Sequence, residues 1–302
     1  MDKFSLFLAD YKGLIPDFNG YLQGLKRPLP LYYRINTLKI GTEEAKSLLR
    51  SEGIWFEETC FEELVLVKNH DPPPSPVLSY HLGYIYPQAL SSCLPVKALD
   101  PKPHERLLDL CAAPGGKATH LAQTMKDMGL IVANDRKLGR ITALMANIKR
   151  MGITNTVVTQ ARGEHFTWGH KFDKVIVDAP CSGIGRYRMD ETGHIRHMKP
   201  GKTDLPAIQK GLITKGFDLL RSGGIMVYST CTLNVEENEE VVHYLLQKRR
   251  AKLTPWDPPV PWSPGITRFK EKEYDKGVGL ARRFYPHKIH SVGFFLARVV
   301  KA

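Results

Sequence analysis

The sequence predicts an α/β protein, with a mostly parallel sheet covered by helices on both faces and a smaller α+β unit before it. Three observations predict this. From Arg106 onward, short apolar runs alternate with stretches whose apolar residues recur at helical spacing, the pattern of successive βα units. Gly129 and Gly152 stand where two of those helices should stop, as left-handed caps. The first ninety residues read differently. Two proline-bearing breaks, Asp71-Pro72-Pro73-Pro74-Ser75-Pro76 and Asp100-Pro101-Lys102-Pro103, set them apart, because proline lacks the amide donor and restricts its predecessor. We expect an N-terminal domain over 1–95 and a main domain over 96–302.

In order along the chain, residues 32–38 read as a strand, 42–52 as a helix with Thr42 as its N-cap, and 64–67 as another strand. In the main domain, 106–110 is a strand and 117–128 a helix whose Ala118, Leu121, Ala122 and Met125 form a buried stripe. Residues 130–133 make the next strand, and Ile141, Leu144, Met145, Ile148 and Met151 repeat the stripe before Gly152. Strands at 156–158 and 174–178, a helix over about 205–220 and a strand at 225–230 follow. Asn234 with Glu237 forms a capping box for a helix over 235–247, and 292–300 is a last apolar strand.

Composition narrows the class. The chain is 42% apolar and 25% charged, ordinary for a soluble globular protein. No apolar stretch approaches the roughly 18 residues that span a bilayer, and Met1-Asp2-Lys3-Phe4 opens no secretory leader. Cys60, Cys93, Cys111, Cys181 and Cys231 are odd in number and form no CxxC pair. That favours a reducing cytoplasm over disulfides or zinc. The eleven histidines lack ligand spacing, so no metal is expected. A net charge of +12 suggests a polyanionic partner. Arg186-Tyr187-Arg188 and Arg282-Arg283-Phe284-Tyr285 mix cations with rings suited to unpaired bases.

Two segments, Asp178-Ala179-Pro180-Cys181-Ser182-Gly183 and Tyr228-Ser229-Thr230-Cys231-Thr232, each close an apolar run. Each thiol should lie just past a strand's C-terminal end, where open α/β sheets place their ligand crevice. Thiolate is the strongest nucleophile among ordinary side chains, so two thiols in one crevice suggest nucleophilic chemistry. The alternative is a pair of structural cysteines, and the flanking Asp178, Pro180 and Gly183 weigh against it. A strand–loop–helix runs from Leu107 through Asp109 to Lys117 with small residues at its turn. It offers free helix amides to a carboxylate or phosphate. GxGxxG is absent, which counts against a nicotinamide cofactor. Asp135 closes the second strand, where a carboxylate could hold a ribose diol. Asp109 and Asp135 could equally cap local turns.

Leu-Cys-Ala-Ala-Pro-Gly-Gly-Lys at 110–117, Asp-Ala-Pro-Cys-Ser-Gly at 178–183 and Ser-Thr-Cys-Thr at 229–232, with Glu236-Glu237-Asn238-Glu239 after it, are similar to the Fmu/Sun family of RNA 5-methylcytosine methyltransferases. Arg34-Ile35-Asn36-Thr37-Leu38-Lys39 with Gln88 resembles its N-terminal signature. Arg283-Phe284-Tyr285-Pro286-His287 with Gly293-Phe294-Phe295 resembles its C-terminal one. The resemblance spans roughly residues 30–302. It implies a class I methyltransferase (Rossmann-like) fold with a seven-stranded sheet, S-adenosylmethionine as donor, and cytosine C5 in rRNA or tRNA as acceptor.

By the same resemblance, Cys231 is the nucleophile at cytosine C6, Cys181 assists adduct breakdown, and Asp178 bonds the N3/N4 edge or lines the methionine end of the donor. Cys111, Ala112, Ala113, Pro114, Gly115, Gly116, Lys117 and Asp135 would hold the donor, with Arg140 orienting Asp135. Lys117 could instead approach the flipped nucleotide. One departure stands out: Arg162 occupies the place of an aspartate that contacts adenine, and arginine has no acceptor. Glu164 or a backbone carbonyl would have to serve, or donor affinity falls. Cys60 and Cys93 are expected to pack, and Cys111 to supply a small side chain. A monomer is expected. Because the chain ends soon after its last strand, RNA selection is expected to use the N-terminal unit, the basic surface or a partner. Competing readings are a DNA cytosine methyltransferase, whose nucleophile is the cysteine of its Pro-Cys segment, and a non-catalytic RNA-binding or ribosome-assembly factor.

Overall fold

Asn36 ends the first strand. Its side-chain amide donates to the carbonyls of Gly83 and Met151, and its oxygen accepts from the Leu38 amide, a side-chain turn that turns the backbone out of the ladder. Strand β1 is therefore Leu31–Ile35, shorter than expected. The structure, a computed structural model, describes residues 8–68, 77–190, 195–196 and 204–302; the proline run 71–76 lies outside them. Thr42 does not cap its helix. The helix spans Thr42–Ser51, and Gly41 occupies the cap position with no side-chain bond, because Ala45 already donates to the Gly41 carbonyl. With β2 (Phe56–Glu58), β3 (Leu64–Val67) and β4 (Ile85–Pro87), β1 forms an antiparallel sheet ordered β2-β3-β1-β4.

The main sheet holds β5 (Arg106–Asp109), β6 (Leu130–Asp135), β7 (Thr156–Gln160) and β8 (Phe172–Asp178). After a two-stranded ribbon, β9 (Arg188–Met189) with β10 (Ile195–Arg196), come β11 (Leu220–Thr230) and β12 (Ala251–Leu253). Then follow β13 (Ser263–Pro264), the hairpin β14 (Arg268–Phe269) and β15 (Lys272–Glu273), β16 (Arg282–Phe284) and β17 (Phe294–Lys301). The order is β13-β16-β17-β11-β8-β5-β6-β7, with β12 also on β17. Strands β7, β6, β5, β8 and β11 are mutually parallel, and β17 runs antiparallel between β11 and β16. The two short strands β12 and β13 extend the seven expected to nine.

Two helices start or stop away from the expected places. The first spans Gly116–Thr124. Lys126 and Asp127 then take positive φ, and the Asp127 carboxylate accepts the amides of Thr154 and Asn155. Asn234 does cap, but over a 3-10 turn, Val235–Glu237. Asn238 breaks the helix there by bonding Thr230 Oγ1 and the Thr232 carbonyl, and the α-helix resumes at Glu239–Lys248. The helix Leu205–Leu219 lies as expected.

The smaller sheet and the main sheet share one core, in which Tyr32, Phe61 and Leu64 join Leu107, Leu121 and Met125. Arg34 crosses between them, fully buried, donating to Gln88, Thr119 and Gln123. Gln88 in turn donates to the Ser92 carbonyl. The helix Leu90–Leu99 is thereby fixed against the helix that opens at Gly116, and one wall of the cleft is set.

Candidate active site

The parallel strands end together. Asp109 closes β5, Asp178 closes β8 and Thr230 closes β11, so the loops that follow meet at one end of the sheet. There they line a cleft of about 660 Å³. Cys111, Ala112, Ala113, Pro114, Gly116, Lys117, Asp135, Arg140, Asp178, Cys181 and Cys231 all face it. Gly115 alone of the expected set does not. It serves as the turn, at φ +110°, where a Cβ would press on Leu144, a conformation that favours glycine. A Cβ on Gly116 would lie 3.3 Å from the Tyr86 ring, so the turn also needs a bare backbone on its other side.

The two thiols are neighbours: Cys181 Sγ and Cys231 Sγ stand 3.2 Å apart. Their loops are tied at several points. The Ser182 and Thr232 hydroxyls are 2.8 Å apart, Gly185 donates to the Cys231 carbonyl, and Ala179 donates to the Ser229 carbonyl. A Cβ at Gly185 would run into the Gly293 carbonyl. Asp178 receives Lys117 Nζ at 2.7 Å and Ser229 Oγ at 2.9 Å. Lys117 also donates to Ser92 Oγ at 3.0 Å and lies over the Phe294 ring.

The site's charges are unevenly spread. Burial works against the Lys117 ammonium, but the paired Asp178 overrides it and holds the ammonium above its usual value. Asp109 is fully buried, and among the described residues neither carboxylate oxygen has a well-formed hydrogen bond, the Cys111 amide acting on it only as a lesser influence. Burial pushes its carboxyl up to about 7, with Lys117 opposing. Cys111 is raised well above an ordinary thiol, chiefly by burial and then by Asp109. The hydrogen bond from Cys181 lowers Cys231; burial and Asp178 oppose, and Arg186 and Lys117 assist.

At the end of β6, Asp135 is 3% exposed. Arg140 Nη1 lies 3.4 Å from it, and Arg140 also donates to the Ala113 carbonyl, so it joins the second strand to the glycine turn. Arg162 points outward, 63% exposed, and reaches back to Glu164 at 3.4 Å. Glu164, not Arg162, lines the cleft. The arginine clusters need correction. Arg283 is fully buried, paired to Glu239 at 2.6 and 2.8 Å and donating to the Leu233 carbonyl. Arg282 is buried against Trp262 and Asp257, and Arg188 donates to the Tyr187 carbonyl. These three guanidiniums hold the fold and are not available to phosphates. Arg186 does line the cleft.

Sequence reasoning missed four supports. Ser229 and Glu237 stand inside motifs already singled out, so proximity to Cys231 could have flagged them. Ser92 and Gln209 carry no local signal: each reaches the site from a helix distant in sequence.

The strand order, with β17 reversed beside β11, is that of a class I methyltransferase. Solved structures agree. A methyltransferase homolog protein from Pyrococcus horikoshii matches with a TM-score of 0.83 at 31% identity, over 98% of this chain and 95% of that one. NSun6 from P. horikoshii with SFG matches at 0.82 and 26%, over 96% of each. The tRNA (cytosine(49)-C(5))-methyltransferase of Pyrococcus abyssi is 37% identical over 97% of this chain and 95% of its own length. The human 28S rRNA (cytosine(4447)-C(5))-methyltransferase is 36% identical over 93% of this chain. The chain spans 35% of the length of that human relative and 36% of the mouse 28S enzyme. The 16S rRNA methyltransferase RsmB/F family model matches residues 96–300. The chain belongs to that family.

Proposed function

We propose that this protein is an S-adenosylmethionine-dependent RNA (cytosine-C5)-methyltransferase acting through a covalent Cys–C6 adduct. The observation that carries the reading is the pair of thiols 3.2 Å apart beside the Lys117–Asp178 pair in one cleft. Cytosine C5 is a poor nucleophile until C6 carries an adduct. Cys231 adds at C6 as thiolate, and the resulting enamine carbon takes the methyl group. After transfer the C5 proton passes to water, its C–H pair re-forms the C5–C6 double bond, and the Cys231–C6 bond breaks with its electron pair returning to sulfur, a step Cys181 assists by donating to the departing thiolate. Asp178 and Lys117 meet the N3/N4 edge and neutralise charge that develops as sulfur adds.

The donor supplies an electrophilic methyl group when bound. The cleft suits it: a bare glycine turn and the buried carboxylates of Asp109 and Asp135 are groups a ligand with amine and diol donors would satisfy. Asp135 takes the ribose and Arg140 orients it; Glu164 takes the place of the missing adenine acceptor. One related structure was solved with SFG, an S-adenosylmethionine analogue. We assign residues 1–95 to RNA binding and 96–302 to catalysis, in a cytoplasmic monomer acting on rRNA or tRNA.

The test is transfer of labelled methyl from S-adenosylmethionine to total RNA and to DNA. Labelled 5-methylcytosine in RNA alone is expected. RNA binding without transfer would favour the non-catalytic factor, and transfer to DNA the other enzyme.

A further inference from the structure

Two thiols in van der Waals contact would ordinarily share reactivity, yet the proposed reaction needs them to differ. The groups around them are not symmetric. Cys231 faces two cations, Lys117 from the helix Gly116–Thr124 and Arg186 from the loop after Cys181; Asp178 faces both sulfurs from the end of β8. Glu237 faces Cys181. From the 3-10 turn after Cys231 its carboxylate, 2% exposed, folds back under the other cysteine's loop. Oε2 accepts the Ser182 amide at 2.9 Å and Gln209 Nε2 at 3.0 Å, and Oε1 accepts Asn234 Nδ2 at 3.3 Å. Gln209 also donates to the Pro180 carbonyl, and Tyr228 from β11 donates to the Glu237 carbonyl. Among the described residues Tyr187 is a further titratable neighbour. Among the described residues the three donors to the Glu237 carboxylate are all amides, and none brings it a compensating positive charge.

We infer that Glu237 is a positioning residue that gives the two thiols their different parts. Its buried carboxylate, fixed to the Cys181 loop through the Ser182 amide, holds Cys181 as the protonated donor and leaves Cys231 as the sulfur that carries negative charge. The proton shared between the sulfurs stays on Cys181, because a second anion beside Glu237 and Asp178 in a dry site is costly. The surroundings act in the same direction: the hydrogen bond to Cys231, then burial, then the charge of Cys231, and after it those of Glu237 and Asp178, raise Cys181 well above an ordinary thiol. Glu237 thus orders the chemistry without touching substrate.

The inference rests on the methyltransferase reading for its use in turnover, but the inequality itself is measured without RNA. Alkylation of the intact protein by iodoacetamide, read at each cysteine by mass spectrometry from pH 6 to 9, reports each thiolate fraction. In the wild type we expect Cys231 to react roughly tenfold faster than Cys181 at neutral pH, as one unit between the two thiols would give. Glu237→Gln keeps the size and removes the charge; it should bring the two rates to within about threefold, as a loss of half a unit or more of that difference requires. Glu237→Asp, which keeps the charge, should restore most of the preference. Gln209→Met disturbs the same network with the charge intact and should keep it too. In turnover, Glu237→Gln should lower kcat with KM for RNA unchanged. An unaltered alkylation ratio in Glu237→Gln overturns the inference, and so does an equal loss in Gln209→Met. Equal rates in the wild type overturn it even where Glu237→Gln fails to fold. A preserved ratio in a protein that methylates no RNA would sink the proposed function instead.

Discussion

Replacing Cys231 by alanine removes the thiol that faces Lys117 and Arg186, and both methyl transfer and covalent capture of RNA containing 5-fluorocytosine should disappear. Full activity would remove Cys231 from the mechanism. Cys181→Ala should still form the adduct and release it slowly, seen as an RNA-linked band on denaturing gels; failure to form adduct with the fold intact would exchange the two roles. Asp135→Ala deletes the acceptor for a ribose diol. Bonds to a charged group are worth about 1.5–3 kcal/mol, so calorimetry should show S-adenosylmethionine affinity falling roughly tenfold or more. Asp109 gives a separate test by pH. Burial holds its folded-state value at about 7, while the unfolded chain titrates near about 3.9. Between those values the native state binds the proton and the unfolded state does not, so this residue's contribution to stability falls as pH rises. Without donor, Asp109→Asn should therefore gain melting temperature over wild type more at pH 8 than at pH 5. An equal gain at both would show that Asp109 titrates normally.

At the level of elements, Arg283 carries the clearest consequence. It joins β16 to the helix Glu239–Lys248 through a fully buried pair with Glu239. Breaking such a pair strands a charge and costs about 3–5 kcal/mol. Arg283→Met should lower the denaturation midpoint accordingly and leave the salt dependence of RNA binding unchanged; a reduced salt slope would return it to the RNA surface. This is also where sequence reading failed. Arg282-Arg283-Phe284-Tyr285 has the composition of a base-stacking patch, and nothing local reveals that its carboxylate partner stands 44 positions earlier. Legibility followed the range of the interaction. Strands β5, β6, β8 and β11 and the helices between them were readable because apolar spacing records burial directly. Ends were less so: Asn36 and Asp127 bond backbone far away in sequence, and Asn238 interrupts its helix by bonding the Thr230 hydroxyl and the Thr232 carbonyl. The cleft residues from Cys111 to Lys117, and both thiols, were legible because a turn, a strand end and a reactive group coincide in short segments. Gln209 and Ser92 were not, for they act only through tertiary contact.

For the whole molecule, the +12 charge with Arg136, Lys137, Arg140 and Arg186 at the cleft mouth predicts RNA binding driven by counterion release. Affinity should fall with salt at a log–log slope of roughly 0.7 per phosphate contact on single strands. On the proposed mechanism a target cytidine would have to leave its stack to reach the thiols, at a few kcal/mol when paired, so looped RNA should outpace the same sequence in duplex. Filter binding across salt, with kinetics on both RNAs, checks both; a flat salt response or equal rates would refute this account. The position of β17 bears on how the enzyme comes into being. It is inserted between β11 and β16, and Gly293 just before it donates to Gly185, behind the Cys181 loop. A ribosome delivers both cysteines long before it delivers that strand. A nascent chain short of residue 293 has an unpaired β11 edge, open to mispairing, and a Cys181 loop that lacks the bond from Gly293 to Gly185. A translation product truncated before residue 292 would therefore carry both cysteines and the glycine turn and still lack the part of the cleft wall that Val292 and Phe294 supply.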